Sequence, residues 1–423
     1  MLVAVLIILF LGILLLRLPI GLSMLLVGGI GIILISGPDT LVGVLSSTAY
    51  RSISNPTYIA IPLFILMAMF LSESRVADEL FDTIEKWVGR IPGGSGVTTV
   101  VASAGFGALS GSSVAATSVM ARVAVPAMVR GNYSPAQASG LVATTTGTLA
   151  ALIPPSIPLI LYGVQTETSV GALLIAGIVP GLLIAGLIIL VVVGMNLRSP
   201  NKATAGLVDW GDRLRSTRVL VGPLALIALI VGVIYGGVAT ATEASAFGAA
   251  GALLLGLAMR RLDRPAIGRA LESTVSATSM VFLILIGTYV FTHFVTVSGV
   301  GRELVTVVEQ SALSTLGVIL LLCGFYLVLG LFLDLIGSML LTLPVVFPLI
   351  VALELDPVWF GVLLVLLLEI GLVTPPIGLN LFIVSKHSGV PIKQVVIGSL
   401  PFIAVLLLSV GLLVAFPWLT DLI

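Results

Sequence analysis

Cysteine and histidine are almost missing from this chain: Cys323 stands alone in a leucine-rich run, and His293 and His387 are isolated from each other. A single cysteine excludes an internal disulfide and a cysteine metal cluster. Lone histidines are read as hydrogen-bonded structural residues rather than switches. No nucleophile with its base, metal-ligand spacing or phosphate loop occurs, so no enzyme and no organic cofactor are expected. Charge is scarce as well. Only 9% of the 423 residues are charged, balanced at 19 basic and 19 acidic, and without a basic block there is no nucleic-acid partner to expect.

What fills the chain is hydrocarbon, 58% of it hydrophobic residues with a mean hydropathy of +1.25, which places it in a lipid bilayer. The apolar stretch Met1 to Leu16 lacks both a basic flank ahead of it and a small-residue cleavage site behind it. It reads as a retained span rather than a signal peptide. Crossing a core of ~30 Å takes about 20 residues. Suitable segments lie at about 1–17, 19–36, 57–72, 137–164, 170–197, 219–236, 240–259, 274–296, 357–385 and 392–416. Two further apolar regions, 97–128 and 313–351, are interrupted by "GALSGSS" and "GLFLDLIGS". Arms of roughly 15 residues reach only about 22 Å, so each region reads as a re-entrant helical hairpin.

Counted from an outside start, this layout leaves Arg51 and Arg302 on one face and the remaining basic residues on the other. The crowded face is then cytoplasmic, and both termini are periplasmic. The amphipathic stretches "SESRVADELFDTIEKWVGR" and "VSGVGRELVTVVEQ" read as helices lying along the interface.

The prolines carry an internal repeat. Pro126 and Pro135 recur 222 positions later as Pro348 and Pro357, and Pro154, Pro155 and Pro180 recur 221 positions later as Pro375, Pro376 and Pro401. "LIPPSIPLILYG" thereby faces "LVTPPIGLNLFI". Residues 1–197 form a first repeat with hairpin 97–128, residues 198–218 a cytoplasmic connecting loop, and residues 219–423 a second repeat with hairpin 313–351. An odd number of crossings in each half turns the second upside down. An all-α membrane protein built from inverted repeats, two hairpins and two broken helices is the signature of a secondary transporter with a midplane site.

A Pro-Pro pair removes backbone donors and leaves carbonyls unpartnered, which is costly in hydrocarbon. Dehydrated sodium, a hard cation, would satisfy them. One cation site is expected where Ser110, Gly111, Ser112 and Ser113 at the first tip meet Pro154 and Ser156. A second is expected where Asp334, Gly337 and Ser338 at the second tip meet Thr374, Pro375, Gly378 and Asn380. The half-helix N-termini starting at both breaks favour an anion, so the substrate is expected to be a small organic anion. Ser112, Ser156, Asp334 and Asn380 are the side chains expected to meet it. A carboxylate such as Asp334 at membrane depth is rarely decorative. Glu243 and Glu369 also fall inside the assigned spans, where each could act, cap a helix or pair across helices.

Taken in order, "GALSGSSVAAT", "IPPSIPLILYG", "YGGVATATEAS", "GLFLDLIGSMLLTLPVVFPLI", "LDPVWFGV" and "GLVTPPIGLNLF" resemble the large membrane subunit, DctM-type, of tripartite ATP-independent periplasmic (TRAP) transporters. The resemblance covers almost the whole chain. It departs where the family commonly has threonine-proline and this chain reads "ATATEAS". The resemblance implies a bacterial inner-membrane protein, an elevator motion, and sodium-driven import of a carboxylate such as a C4-dicarboxylate, keto acid or sialic acid. It also implies two partners, a separate four-helix membrane subunit and a periplasmic substrate-binding protein. By position it puts the family's cation sites on the tip and break segments named above. A standalone sodium/dicarboxylate or citrate symporter is the alternative.

Overall fold

The computed structural model describes Leu9, residues 12–13, 18–197, 209–311 and 313–421. The expected span 1–17 lies almost wholly outside these residues, as does the 198–208 part of the connecting loop. Every regular element among the described residues is helical.

Local chemistry accounts for the helix starts. Ser112, Ser134, Ser156, Thr240, Asp263, Ser314 and Asp334 each accept a backbone N–H of the helix they open, which relieves the orphan donors of a first turn. The first hairpin region forms Gly94–Ser110 and Ser113–Arg130, and the second forms Thr315–Gly330 and Leu335–Ala352. Their arms of 17, 18, 16 and 18 residues are longer than the sequence suggests. At 1.5 Å per residue they reach about 24–27 Å, and Leu335–Ala352 is long and apolar enough to cross a bilayer by itself.

Both expected breaks are present. Pro135–Leu152 and Ile157–Thr166 meet at a 43° bend, and residues 373–378 separate Pro357–Leu372 from Leu379–Ser388. The Pro154–Pro155 and Pro375–Pro376 bonds are cis.

Elsewhere the boundaries move. A helix that hydropathy does not assign, Pro38–Ser54, follows Ile20–Ser36. Residues 210–218, expected as loop, begin the helix Trp210–Tyr235. The span expected at 274–296 is the later two-thirds of Arg264–Ser298, a helix of 35 residues and about 52 Å. Among the described residues six helices are long and apolar enough to cross a membrane, or eight if each bent pair is one span. Ile20–Ser36 and Pro357–Leu372, both expected as parts of spans, are shorter.

Both amphipathic stretches fold as helices, Val76–Val88 and Val300–Gln310. The first buries Val76, Ala77, Leu80 and Phe81 against the first hairpin and Trp210–Tyr235. Glu79 there pairs with Arg261, although burial outweighs the arginine and raises the carboxyl above its usual range. Arg213 sits 5.9 Å from the Trp87 ring and 5.3 Å from that of Trp210, a cation–π arrangement that ties the connecting segment to this helix.

The core runs through the broken helices. Pro135–Leu152 packs against both arms of the first hairpin, against Pro357–Leu372 and against the final helix Ile392–Ala415. Gly140 and Gly398 meet there, each placed so that a Cβ would overlap backbone of the opposite helix. Small residues at such crossings let helices approach where no hydrophobic force separates lipid from protein.

Candidate functional site

The first tip and the first break touch through backbone. Gly111 has φ +61°, a left-handed conformation that costs a glycine little, and its carbonyl accepts the Ile157 N–H at 3.1 Å. A Cβ on Gly111 would overlap the Pro155 carbonyl oxygen. Ser110 Oγ lies 3.3 Å from both the carbonyl and the N–H of Ser112, while Ser112 Oγ accepts the Ala115 N–H at 3.4 Å. Two helix N-termini, those of Ser113–Arg130 and Ile157–Thr166, therefore start at this junction. Ser110 to Ser113 and Pro154 to Ser156 are thus assembled in one place.

The freed carbonyls have protein partners that the sequence does not foretell. Pro155 has no N–H for the Ala151 carbonyl one turn earlier, and the Ser156 hydroxyl donates to it instead. Ser156, fully buried, also accepts the Leu159 N–H at 3.3 Å. In the second break the Thr374 N–H donates to the Gly371 carbonyl at 3.2 Å, and its hydroxyl donates to Ile370 at 2.6 Å.

At the second tip, Asp334 Oδ2 accepts the Gly337 N–H at 3.0 Å and caps Leu335–Ala352. A Cβ on Gly330 would come within 2.9 Å of Gly371 Cα, much as one on Gly107 would come within 2.8 Å of Ala150 Cα. Each tip thus abuts the helix end just ahead of its break. Ser338 is buried, Pro375 is exposed, and Gly378 holds φ +51°. Asn380 reaches the first tip, its amide donating to Ser113 Oγ at 3.0 Å.

That hydrogen bond leads to a residue whose role the sequence leaves open. Glu369 is completely buried; its Oε2 accepts Ser113 Oγ at 3.0 Å and lies 3.5 Å from Asn380 Nδ2. Gly147, from the first broken helix, supplies the missing wall, since a Cβ there would lie 3.0 Å from Glu369 Oε2 and overlap Asn380 and Ser113. The available signal is that Glu369 is the lone charge in "VLLVLLLEIGLV".

Glu243 is a different matter. It is exposed, not deep, and forms a capping box with Thr240, accepting its N–H at 2.8 Å and its hydroxyl at 2.9 Å. Thr240→Ala is expected to lower stability by about 1 kcal/mol in thermal unfolding, while Glu243→Gln leaves uptake unaltered. His387 Nε2 lies 3.1 Å from Ser118 Oγ, and Cys323 is buried in its apolar run.

These elements define a multi-pass, all-helical membrane protein whose polar centre is made from interrupted helices. Residues 7–419 match the family described as tripartite ATP-independent periplasmic transporter, DctM component; the chain belongs to that family, as a TRAP transporter large membrane subunit. It is 35% identical to the C4-dicarboxylate TRAP transporter large permease protein of Pseudomonas aeruginosa over 91% of this chain and 90% of that one. It is 32% identical to the ectoine TRAP transporter large permease protein of Halomonas elongata over 96% and 95%. Among solved structures the fold resembles the Alcanivorax borkumensis YdaH transporter, with a TM-score of 0.65 at 14% identity, covering 89% of each chain. The family is one of transport permeases, not enzymes.

Proposed function

We propose that the chain imports a small organic anion of the carboxylate class across the bacterial inner membrane, driven by sodium and by an elevator motion of the hairpins and broken helices. The observation that carries this reading is the backbone contact of Gly111 with Ile157 at a meeting of two helix N-termini. Such a junction offers donors to an anion beside carbonyl and hydroxyl oxygens suited to sodium. The matching approach of Gly107 to Ala150 and of Gly330 to Gly371 supports inverted repeats with re-entrant hairpins. Asp334, Gly337, Thr374, Pro375, Gly378 and Asn380 are the residues of the second sodium site in this reading. Substrate is read only as a class, because relatives of similar identity are named for C4-dicarboxylate and for ectoine. A four-helix membrane subunit and a periplasmic binding protein complete the system, with both termini periplasmic and residues 198–218 cytoplasmic.

The test is uptake in vesicles reconstituted with both partners. Accumulation is expected to require the binding protein and an inward sodium gradient. Ser112→Ala is expected to raise the sodium concentration for half-maximal uptake about threefold to tenfold, the loss of one ligand hydrogen bond or coordination contact. Unchanged sodium activation would take Ser112 out of the site, and uptake by the chain alone would point to the standalone symporter.

A further inference from the structure

The helix Pro38–Ser54 and the C-terminal end of Arg264–Ser298, its periplasmic end in the orientation proposed above, face each other across a cleft of about 990 Å³. That is near the upper limit of ordinary ligand pockets, roughly 300–1,000 Å³. Tyr289, Thr292, His293 and Thr296 line one wall, spaced so that all four share one helix face. Thr40, Ser47 and Ser54 line the other, again on one face. Two polar helix faces turned toward each other in a membrane protein call for a polar guest between them. The hydroxyls of Thr40, Ser47, Ser54 and Thr296 each donate their only proton to the carbonyl four residues back, at 2.9, 3.1, 2.6 and 2.8 Å, so what they have left is lone pairs. Donors remain elsewhere. Thr292 Oγ1 and His293 Nε2 have no hydrogen-bond partner, and Asn55 spends its Oδ1 on the Thr57 N–H at 3.0 Å, which leaves its amide as a donor. No carboxylate, lysine or arginine side chain among the described residues lines the cleft.

We propose that this cleft seats the headgroup of a zwitterionic phospholipid carrying a primary ammonium, of the phosphatidylethanolamine class. The phosphate takes the donors of Thr292, Asn55 and His293, the last in its Nε2-protonated tautomer. The ammonium, with three N–H groups, takes the lone pairs of the four hydroxyls that have spent their protons. Tyr50 and Tyr289 line the same cleft, and aromatic faces attract a cation. Charge selects among lipids. An anionic headgroup is ordinarily held by a cluster of lysines and arginines, which these walls lack, and a quaternary ammonium has no N–H to give to the hydroxyls. The acyl chains have a path as well: Val42, Leu45 and Val297 flank lining residues on the same two helices and are exposed, so a polar hollow adjoins an apolar surface as headgroup adjoins chain. A partner protein's helix satisfies its own backbone and would leave most of these donors and acceptors unmet. A lipid here braces Pro38–Ser54 of the first half against Arg264–Ser298 of the second, where the Tyr289 hydroxyl already meets that of Tyr58 at 2.6 Å.

The experiment is native mass spectrometry of the purified large subunit with its small membrane subunit, delipidated in detergent and then offered phosphatidylethanolamine, phosphatidylglycerol or phosphatidylcholine in equal amounts. Wild type is expected to retain one phosphatidylethanolamine about tenfold more tightly than either of the others. Gly43 lines the cleft and has nothing within 4 Å of where a Cβ would stand, so Gly43→Leu intrudes on the cleft and not on packing. It is expected to abolish the preference, as is His293→Phe. Gly411→Leu, at an equally open position on the final helix, keeps it. Equal retention of the three lipids by wild type overturns the proposal, and so does an undiminished preference in Gly43→Leu. Should the cleft variants misfold, Gly43→Cys carrying a photoreactive maleimide decides, Cys323 being buried. Cross-linking to added phosphatidylethanolamine is expected. Cross-linking to the small subunit overturns the lipid site and gives the cleft to a protein, and cross-linking to neither overturns it in favour of water. None of these measurements depends on sodium or on uptake, so their failure leaves the transport reading standing.

Discussion

Asp334→Asn is expected to reduce uptake to background, about a hundredfold or more, equivalent to roughly 3 kcal/mol in the transport barrier, while the protein still inserts and folds. The geometry separates the two roles of this side chain. As a cap, Asp334 needs only one oxygen to accept the Gly337 N–H at 3.0 Å, and asparagine caps about as well as aspartate. As a charge it has no substitute, because an amide cannot supply the anionic oxygen that a sodium site at the second tip requires. Thermal unfolding within about 0.5 kcal/mol of wild type together with lost uptake is the expected pair of results. Wild-type uptake would leave Asp334 as a helix cap, and a large loss of stability would show that the cap is not preserved and void the separation.

The parts of the site that are readable in the sequence are those fixed within a few residues. "IPPS" and "TPPI" break helices because proline lacks a donor, whatever surrounds it. Gly111 and the serines around it likewise announce a turn followed by a capped helix. Glu243 stands in plain view as the fourth residue of a T-x-x-E capping box, yet hydropathy draws the span boundary at 240 and carries the carboxylate indoors. Helix Pro38–Ser54 escapes for the opposite reason. Its serines, threonines and glycine dilute hydropathy, although Pro38 and Asp39 at its start are ordinary opening signals. The charged first turns of Arg264–Ser298 similarly hide the part of the helix that precedes its apolar stretch. The Glu369 cluster is out of reach, since Ser113 and Glu369 are 256 residues apart in sequence and no local pattern tells a glutamate which hydroxyl it will meet. Even the accounting of freed carbonyls needs coordinates, because whether Ser156 donates to Ala151 or to a ligand depends on one rotamer.

The largest structural penalty is expected at Gly398. Gly398→Val should destabilise the protein by about 3 kcal/mol, at or above the upper end of the usual cost of overpacking, and lower the unfolding temperature accordingly. The reason is what lies opposite. A Cβ at Gly398 would overlap the Ala136 carbonyl, and one at Gly140 would overlap the backbone of Gly398. Backbone atoms cannot rotate away as a side chain can, so the two helices must separate along their length. In a membrane that separation forfeits the close packing which holds helices together. Gly411, on the same helix, has nothing within 4 Å of where a Cβ would stand. It is the internal control, and Gly411→Val should unfold as wild type does. Equal unfolding temperatures for Gly398→Val and Gly411→Val would mean that the helices are not in backbone contact. The consequence reaches the site, because Ala136, Gly140 and Gly147 share one helix. Pushing Pro135–Leu152 off the final helix shifts the wall that Gly147 gives to Glu369 and Asn380, so uptake should fall in Gly398→Val even at temperatures where the protein remains folded.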